Sequence, residues 1–270
     1  MSRIAQTFDA LRQRNAKALI TFLTAGDPDL ATSERVVHAL IEAGVDLIEI
    51  GFPFSDPMAD GPTIQAASER ALAAGTTLNG VLELVARVRR HSNVPIILMG
   101  YYNPVFRYGG AAFARDAASA GVDGLLLVDL PPEETGELHP HLKAAGIDQI
   151  TLLAPTTPPD RMQRLAGGAE GFLYYVSMTG VTGTQKVDAA AIADSVALVR
   201  RYCPVPVAVG FGVNSPEDAR AVAAFADAVV VGSALVKVVE QYGRSPELLD
   251  EVKRFVAALK SGVCAAEVSH

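Results

Sequence analysis

Apolar residues fall into eight short runs along the chain: Ala18 to Leu23, Asp46 to Gly51, Pro95 to Tyr101, Gly124 to Val128, Asp148 to Leu153, Gly171 to Val176, Val205 to Gly210 and Ala228 to Val231. Between them lie helix-length segments. Asp29 to Ala43, Pro62 to Ala74 and Leu78 to His91 read as helices, and Ile4, Phe8 and Leu11 give Arg3 to Arg14 a helical spacing ahead of the first run. Strands this short and apolar, alternating with helices, predict a parallel sheet covered by helices on its outside. Eight of them in 270 residues predict one closed (β/α)8 TIM barrel with an extra N-terminal helix, covering 1–270 as a single domain, in preference to an open doubly wound sheet. Gly44-Val-Asp, Gly121-Val-Asp and Gly146-Ile-Asp recur where a helix hands over to a strand, each glycine placed to end its helix.

One strand breaks the apolar pattern. Glu49 stands between Ile48 and Ile50, sharing a face with Leu47 and Gly51 while the isoleucines take the other. An unpaired carboxylate in such a run is costly to bury, so it demands either a partner, in a structural ion pair, or a part in catalysis. Asp60 follows in an irregular segment, beside glycine and proline, where aspartates commonly form turns. Tyr174 and Tyr175 point to opposite sides of the sixth strand, and the inward one is placed either to fill the core or to reach Glu49.

In parallel barrels, reactive groups gather at the carboxyl ends of the strands. The seventh such loop reads Val209-Gly-Phe-Gly-Val-Asn-Ser-Pro216, and the eighth, Val231-Gly-Ser-Ala234, opens a helix. Glycines that admit backbone N–H groups, together with a helix amino terminus, form a phosphate cradle, and these two loops are where barrels most often hold phosphate. Thr182 and Ser233 are candidate hydroxyl donors, Ser233 equally a helix cap. Thr179 to Asp188, with its glycines and small polar residues, is expected to act as a lid that orders on ligation.

Composition narrows the class. A net charge of −7 without a basic run argues against a nucleic-acid or anionic-membrane partner. The most apolar long stretch, Ala221 to Val236, carries Asp227 and a Gly-Ser pair, and reads as helix, strand and turn rather than a membrane span; the amino terminus lacks the apolar core of a signal peptide. A cytoplasmic enzyme is expected. Cys203 and Cys264 have no metal or disulfide spacing, no lysine stands in the middle of a strand, and the histidines fall on helices or at the terminus. Neither a Schiff base nor a metal is implied. Carboxylate acid/base chemistry on a small phosphorylated substrate is what remains.

The segments Leu47-Ile-Glu-Ile-Gly-Phe-Pro-Phe-Ser-Asp-Pro-Met-Ala-Asp-Gly-Pro-Thr-Ile-Gln65, Tyr101-Tyr-Asn-Pro104, Ser177-Met-Thr-Gly-Val-Thr-Gly183, Gly210-Phe-Gly212 and Gly232-Ser-Ala234 together closely resemble the tryptophan synthase alpha-chain family, over nearly the whole sequence. The resemblance implies a barrel that cleaves indole-3-glycerol phosphate to indole and glyceraldehyde 3-phosphate for L-tryptophan biosynthesis. It implies an alpha2beta2 complex with a beta chain that carries pyridoxal phosphate, and no cofactor in this chain. It assigns Glu49 and Asp60 as the catalytic carboxylates and Phe22, Tyr101, Tyr174 and Thr182 as substrate contacts. It places Gly183, Gly210, Phe211, Gly212, Gly232 and Ser233 around the phosphate. The nearest competing class, an isomerase barrel acting on a phosphorylated sugar or anthranilate derivative, shares the glycine loops but not the Asp56 to Gln65 segment. A chain that only activates a partner has no need of both Glu49 and Asp60.

Overall fold

The computed structural model of the chain describes residues 1–176, 189–210 and 212–266, with the backbone alone for 189–191. Helix α1 (Arg3–Gln13) leads into β1 (Ala18–Thr24), α2 (Leu30–Glu42), β2 (Leu47–Gly51), α3 (Pro62–Ala73), α4 (Leu78–Arg89) and β3 (Ile96–Gly100). Then come α5 (Tyr102–Tyr108), α6 (Gly110–Ala120), β4 (Gly124–Leu127), a 3-10 turn (Pro132–Glu137), α7 (His139–Ala145), β5 (Asp148–Gln149) and β6 (Thr151–Leu153). The chain continues through α8 (Pro159–Gly167), β7 (Leu173–Val176), α9 (Ala189–Arg200), β8 (Val207–Gly210), α10 (Pro216–Ala223), β9 (Ala228–Val231), α11 (Ser233–Tyr242) and α12 (Leu248–Ala265).

Every strand pairing is parallel, in the spatial order β5-β4-β3-β2-β1-β9-β8-β7-β6. The two ends of that order are separated in sequence by Ile150 alone, so the sheet closes on itself into the expected barrel. The fifth strand of the sequence pattern is here two pieces. Asp148 and Gln149 pair with Gly124 and Leu125, whereas Thr151 to Leu153 pair with Leu173 to Tyr175, and the change of partner interrupts the ladder at Ile150.

Alternation along each strand divides the core in two. Side chains such as Leu19, Ile48, Ile50, Leu98, Leu125 and Val209 face the helices. Ile20, Leu47, Ile97, Leu126, Phe172, Tyr174 and Val230 face the barrel axis and pack there with Ile4, Phe8 and Leu11 of α1, which plugs the amino-terminal end. The Phe8 and Phe172 rings lie 6.1 Å apart. Among the described residues, no helix is long and apolar enough to cross a membrane.

The Gly-x-Asp repeats have a physical cause at both ends. Gly44, Gly121 and Gly146 sit at φ +88°, +91° and +72°, left-handed conformations that favour glycine, and each ends its helix. In the first two repeats the next residue but one then ties down the neighbouring strand, whereas Asp148 in the third accepts the Ser2 hydroxyl. Asp46 accepts the Leu19 N–H at 2.7 Å and Asp123 the Ile96 N–H at 2.8 Å; Asp227, without the glycine, accepts the Val207 N–H at 2.9 Å. Asp123 also holds Arg3 and Arg89, each at 2.8 Å, and is only 4% exposed. Asp123→Ala leaves the largely buried Arg89 with backbone carbonyls but no counter-ion, and unfolding in urea is expected to show a loss of about 3 kcal/mol or more. A loss within about 0.5 kcal/mol, the size of an ordinary surface change, would contradict a structural role for this carboxylate.

Candidate active site

Glu49 sits in the middle of β2, level with Phe22 of β1 and Ile97 of β3. It has no exposed surface, and neither carboxylate oxygen has a hydrogen-bond partner among the described residues. The structural ion pair considered from the sequence is therefore not formed. Desolvation pushes the Glu49 carboxyl up to about 8, so the group is a neutral acid at pH 7 and its burial costs far less than that of a carboxylate. Tyr174 faces the same interior from β7, while Tyr175 turns outward, as the alternation requires. Burial, then the nearby Glu49, pushes the Tyr174 phenol well above its usual range, which keeps its proton in place.

Asp60 has a different environment. It is half-buried in the loop that joins β2 to α3, directly before the Gly61 cap and Pro62, the first residue of the helix. Burial raises its carboxyl to about 6, against the opposing pull of a hydrogen bond from the Tyr101 hydroxyl. Tyr101 caps α5, one residue beyond β3, rather than ending the third strand. Its hydroxyl oxygen also accepts the Ala59 N–H at 2.9 Å, and its ring stacks on Phe54 at 5.2 Å. Gln65 donates to the Asp60 carbonyl at 2.9 Å, so α3 and the cap of α5 both hold the loop that carries the carboxylate.

Asp60 and Tyr101 line a small cavity at the carboxyl ends of β1 to β4, walled by Phe22, Phe52, Phe54, Ile64 and Met99. At about 20 Å³ the cavity holds no ring as it stands, but its largely apolar walls and single carboxylate have the chemistry that a flat aromatic ring bearing one N–H would meet if the walls moved apart. Larger hollows open at the opposite end of the barrel, around α1, where neither Glu49 nor Asp60 takes part.

The glycines of the last two loops divide into two kinds. A Cβ at Gly210 would lie 2.2 Å from the Tyr174 hydroxyl oxygen, so this glycine makes room for the tyrosine. Gly212 has φ +43° and no described residue within 4 Å of where a Cβ would stand, and a Cβ at Gly232 would meet Phe22 only at an ordinary 3.7 Å. Gly232 is the N-cap of α11, and no side chain caps the helix. Ser233 is thus the exposed first residue of α11 rather than its cap. An uncapped helix amino terminus that opens on an unobstructed glycine, Gly232, is an anion site in form. Thr182, Gly183, Phe211 and the expected lid from Thr179 to Asp188 lie outside the described residues.

The family described as "Tryptophan synthase alpha chain" matches residues 8–264. The chain belongs to this family. Among its relatives, the tryptophan synthase alpha chain of Citrifermentans bemidjiense is 57% identical over 263 residues, covering 97% of this chain and 98% of that one. That of Geobacter sulfurreducens is 54% identical, over 97% and 99% of the two chains. The crystal structure of subunit alpha from Legionella pneumophila str. Paris superposes with a TM-score of 0.91 at 37% identity, covering 98% of this chain and 99% of that one. The aminoacrylate-bound tryptophan synthase of M. tuberculosis gives 0.87 at 36% identity, over 97% and 100%.

For a member of the tryptophan synthase alpha-chain family, several cavity residues go unmarked by the sequence alone: Thr24, Phe52, Ile64, Ser68, Met99 and Val128. Thr24 had a usable signal, since it lies two residues beyond Phe22 on the same strand face, and its hydroxyl is buried without a partner. Ile64 and Ser68 share a helical face at a spacing of four. The raised Glu49 carboxyl has a consequence for stability. The native state retains a proton that the unfolded chain releases above its ordinary value of 4.5, so stability falls as pH rises from there to about 8 and levels off beyond. Melting curves of Glu49→Gln should therefore lie above those of the wild type by a margin that widens between pH 5 and pH 8. A margin independent of pH would show that Glu49 is not held as the acid.

Proposed function

We propose that this chain is a carbon–carbon lyase of L-tryptophan biosynthesis that cleaves indole-3-glycerol phosphate into indole and glyceraldehyde 3-phosphate through Glu49 and Asp60. The observation that carries this reading is the fully buried, unpartnered Glu49, which holds a proton to about pH 8 while Asp60 ionises near 6. Two carboxyl groups held apart in this way divide acid and anion roles between them.

The reaction needs a proton at indole C3, removal of a proton from the side-chain hydroxyl, and relief of positive charge at the ring nitrogen. Glu49 gives its proton to C3. The resulting carboxylate takes the hydroxyl proton as the oxygen's electrons form the aldehyde and those of the breaking C–C bond return to the ring. Asp60, ionised, accepts a hydrogen bond from the indole N–H throughout. Phe22 and Tyr101 hold the ring, and Tyr174 keeps the interior around Glu49 filled. Gly212 in the loop after β8, with Gly232 and Ser233 at the start of α11, receives the phosphate, and Gly183, Phe211 and Thr182 are assigned to substrate and phosphate through the family resemblance. Each step uses side chains of this chain and no cofactor. The partner we propose is a beta chain carrying pyridoxal phosphate, in a cytoplasmic alpha2beta2 complex that consumes the indole.

The test is indole release from indole-3-glycerol phosphate by the purified chain, with and without a beta chain. Glu49→Gln is expected to retain substrate and lose on the order of a hundredfold to ten-thousandfold in turnover, the usual worth of general acid/base catalysis. Asp60→Asn is expected to lose turnover severely with little change in ligand affinity. Near-normal turnover in either variant removes that residue from the mechanism. Because the active form needs Asp60 ionised and Glu49 protonated, kcat/KM for the wild type should rise through about pH 6 and fall through about pH 8. Loss of the acidic limb in Asp60→Asn would confirm its assignment, and an unchanged limb would refute it.

A further inference from the structure

We propose that Arg70 is a positioning residue that fixes the distance between the Asp60 loop and the phosphate cradle, by tying together the far ends of the helices that begin at each. The proposal rests on the lyase reading of the site. Helix α3 starts just after Asp60 and α11 starts at the Gly232 cap, so the substrate's ring and phosphate are each held at the amino end of one helix. In the middle, Ala67 of α3 and Val236 of α11 pack with Phe22 in a small buried cluster. One helical turn further on, at spacings of three and four, stand Arg70 and Glu240.

The guanidinium of Arg70 makes three hydrogen bonds to two carboxylates. Its Nε and Nη2 donate to the two oxygens of Asp27, both at 2.8 Å, and its Nη1 donates to Glu240 at 2.9 Å. Asp27 is buried, 4% exposed, in the loop between β1 and α2. The same loop is wedged between the two helices. At Gly26, φ +91°, a Cβ would lie 1.8 Å from the Thr76 hydroxyl oxygen just past α3. The Pro28 ring would be 3.3 Å from a Cβ at Gly243, just past α11. Arg70 thus joins α3, α11 and the loop between them at one point, while the middles of the helices share Phe22. A bidentate Arg–carboxylate pair fixes orientation as well as distance, which a lysine at the same place does not.

A residue that sets the separation of two subsites has a signature that a merely stabilising one lacks. Each half of the substrate still binds, but the joined molecule does not bind as well. The experiment compares Arg70→Lys and Glu240→Gln with the wild type in three titrations, with indole, with glycerol 3-phosphate, and with a non-cleavable molecule that joins an indole ring to a phosphate through a three-carbon chain. Thermal melting is recorded alongside, and Glu240, half exposed, is the variant that keeps the buried Asp27–Arg70 pair intact. In Arg70→Lys, affinity for each fragment is expected to change less than about twofold, while the joined ligand and kcat/KM fall on the order of tenfold to a hundredfold, as for a displacement of about 1 Å. Glu240→Gln should show the same pattern more weakly. Fragment and joined affinities that fall together, or a joined affinity that stays unchanged, would overturn the positioning role. Failure of the wild type to bind glycerol 3-phosphate would overturn the phosphate reading and the proposal with it, so the two failures are distinguishable.

Discussion

Everything at the reactive end of this barrel depends on one carboxyl group buried without a partner. A carboxylate in the position of Glu49 would carry a large desolvation penalty with nothing to offset it, and the protein meets that penalty by keeping the proton on. The surrounding structure enforces the condition. Ile20, Leu47 and Ile97 make the interior apolar, the barrel is closed through its interrupted strand, and α1 seals the amino-terminal end with Ile4, Phe8 and Leu11. Asp60, a short stretch of chain away, sits in a loop held by Tyr101 and Gln65 and ionises near 6. One strand and its following loop therefore carry a protonated acid and, a short way along the chain, a carboxyl that is an anion at neutral pH.

The walls of the site come from a repeated exchange of small for large. Gly51 ends β2 beneath the Phe22 ring, Gly100 ends β3 beneath Phe52, and Gly210 ends β8 beneath Tyr174. In each case a Cβ on the glycine would lie 2.6 Å or less from the ring or its hydroxyl, so an aromatic side chain of one strand or its loop leans across the carboxyl end of the next. The arrangement turns the rim of a parallel barrel into an aromatic enclosure without lengthening any strand. It also explains why Gly210, which the loop pattern places at a phosphate, has a packing reason of its own.

Much of the architecture is legible in the sequence because the strands are short apolar runs, several of them preceded by a left-handed glycine or by an aspartate with a backbone amide to hold. Gly44, Gly121 and Gly146 mark those boundaries, and Asp46 and Asp123 tie neighbouring strands. The break at Ile150 is not legible, since it arises from a change of pairing partner that leaves the hydrophobic pattern intact. Glu49 stands out as a charge in an apolar run, and Asp60 through the motif that follows it. Phe52, Met99 and Val128 do not stand out, because an apolar residue at a strand end looks the same whether it fills a core or lines a cavity.

The central claim is that Glu49 is a protonated acid at neutral pH. Infrared difference spectra of the full chain carrying carboxyl-labelled glutamate, recorded from pH 5 to pH 9 with Glu49→Gln as the reference, test it directly. One protonated carboxyl band, missing from the variant, is expected to persist at pH 7 and to disappear with a midpoint near 8. A Glu49 that is already a carboxylate at pH 6 would contradict the claim.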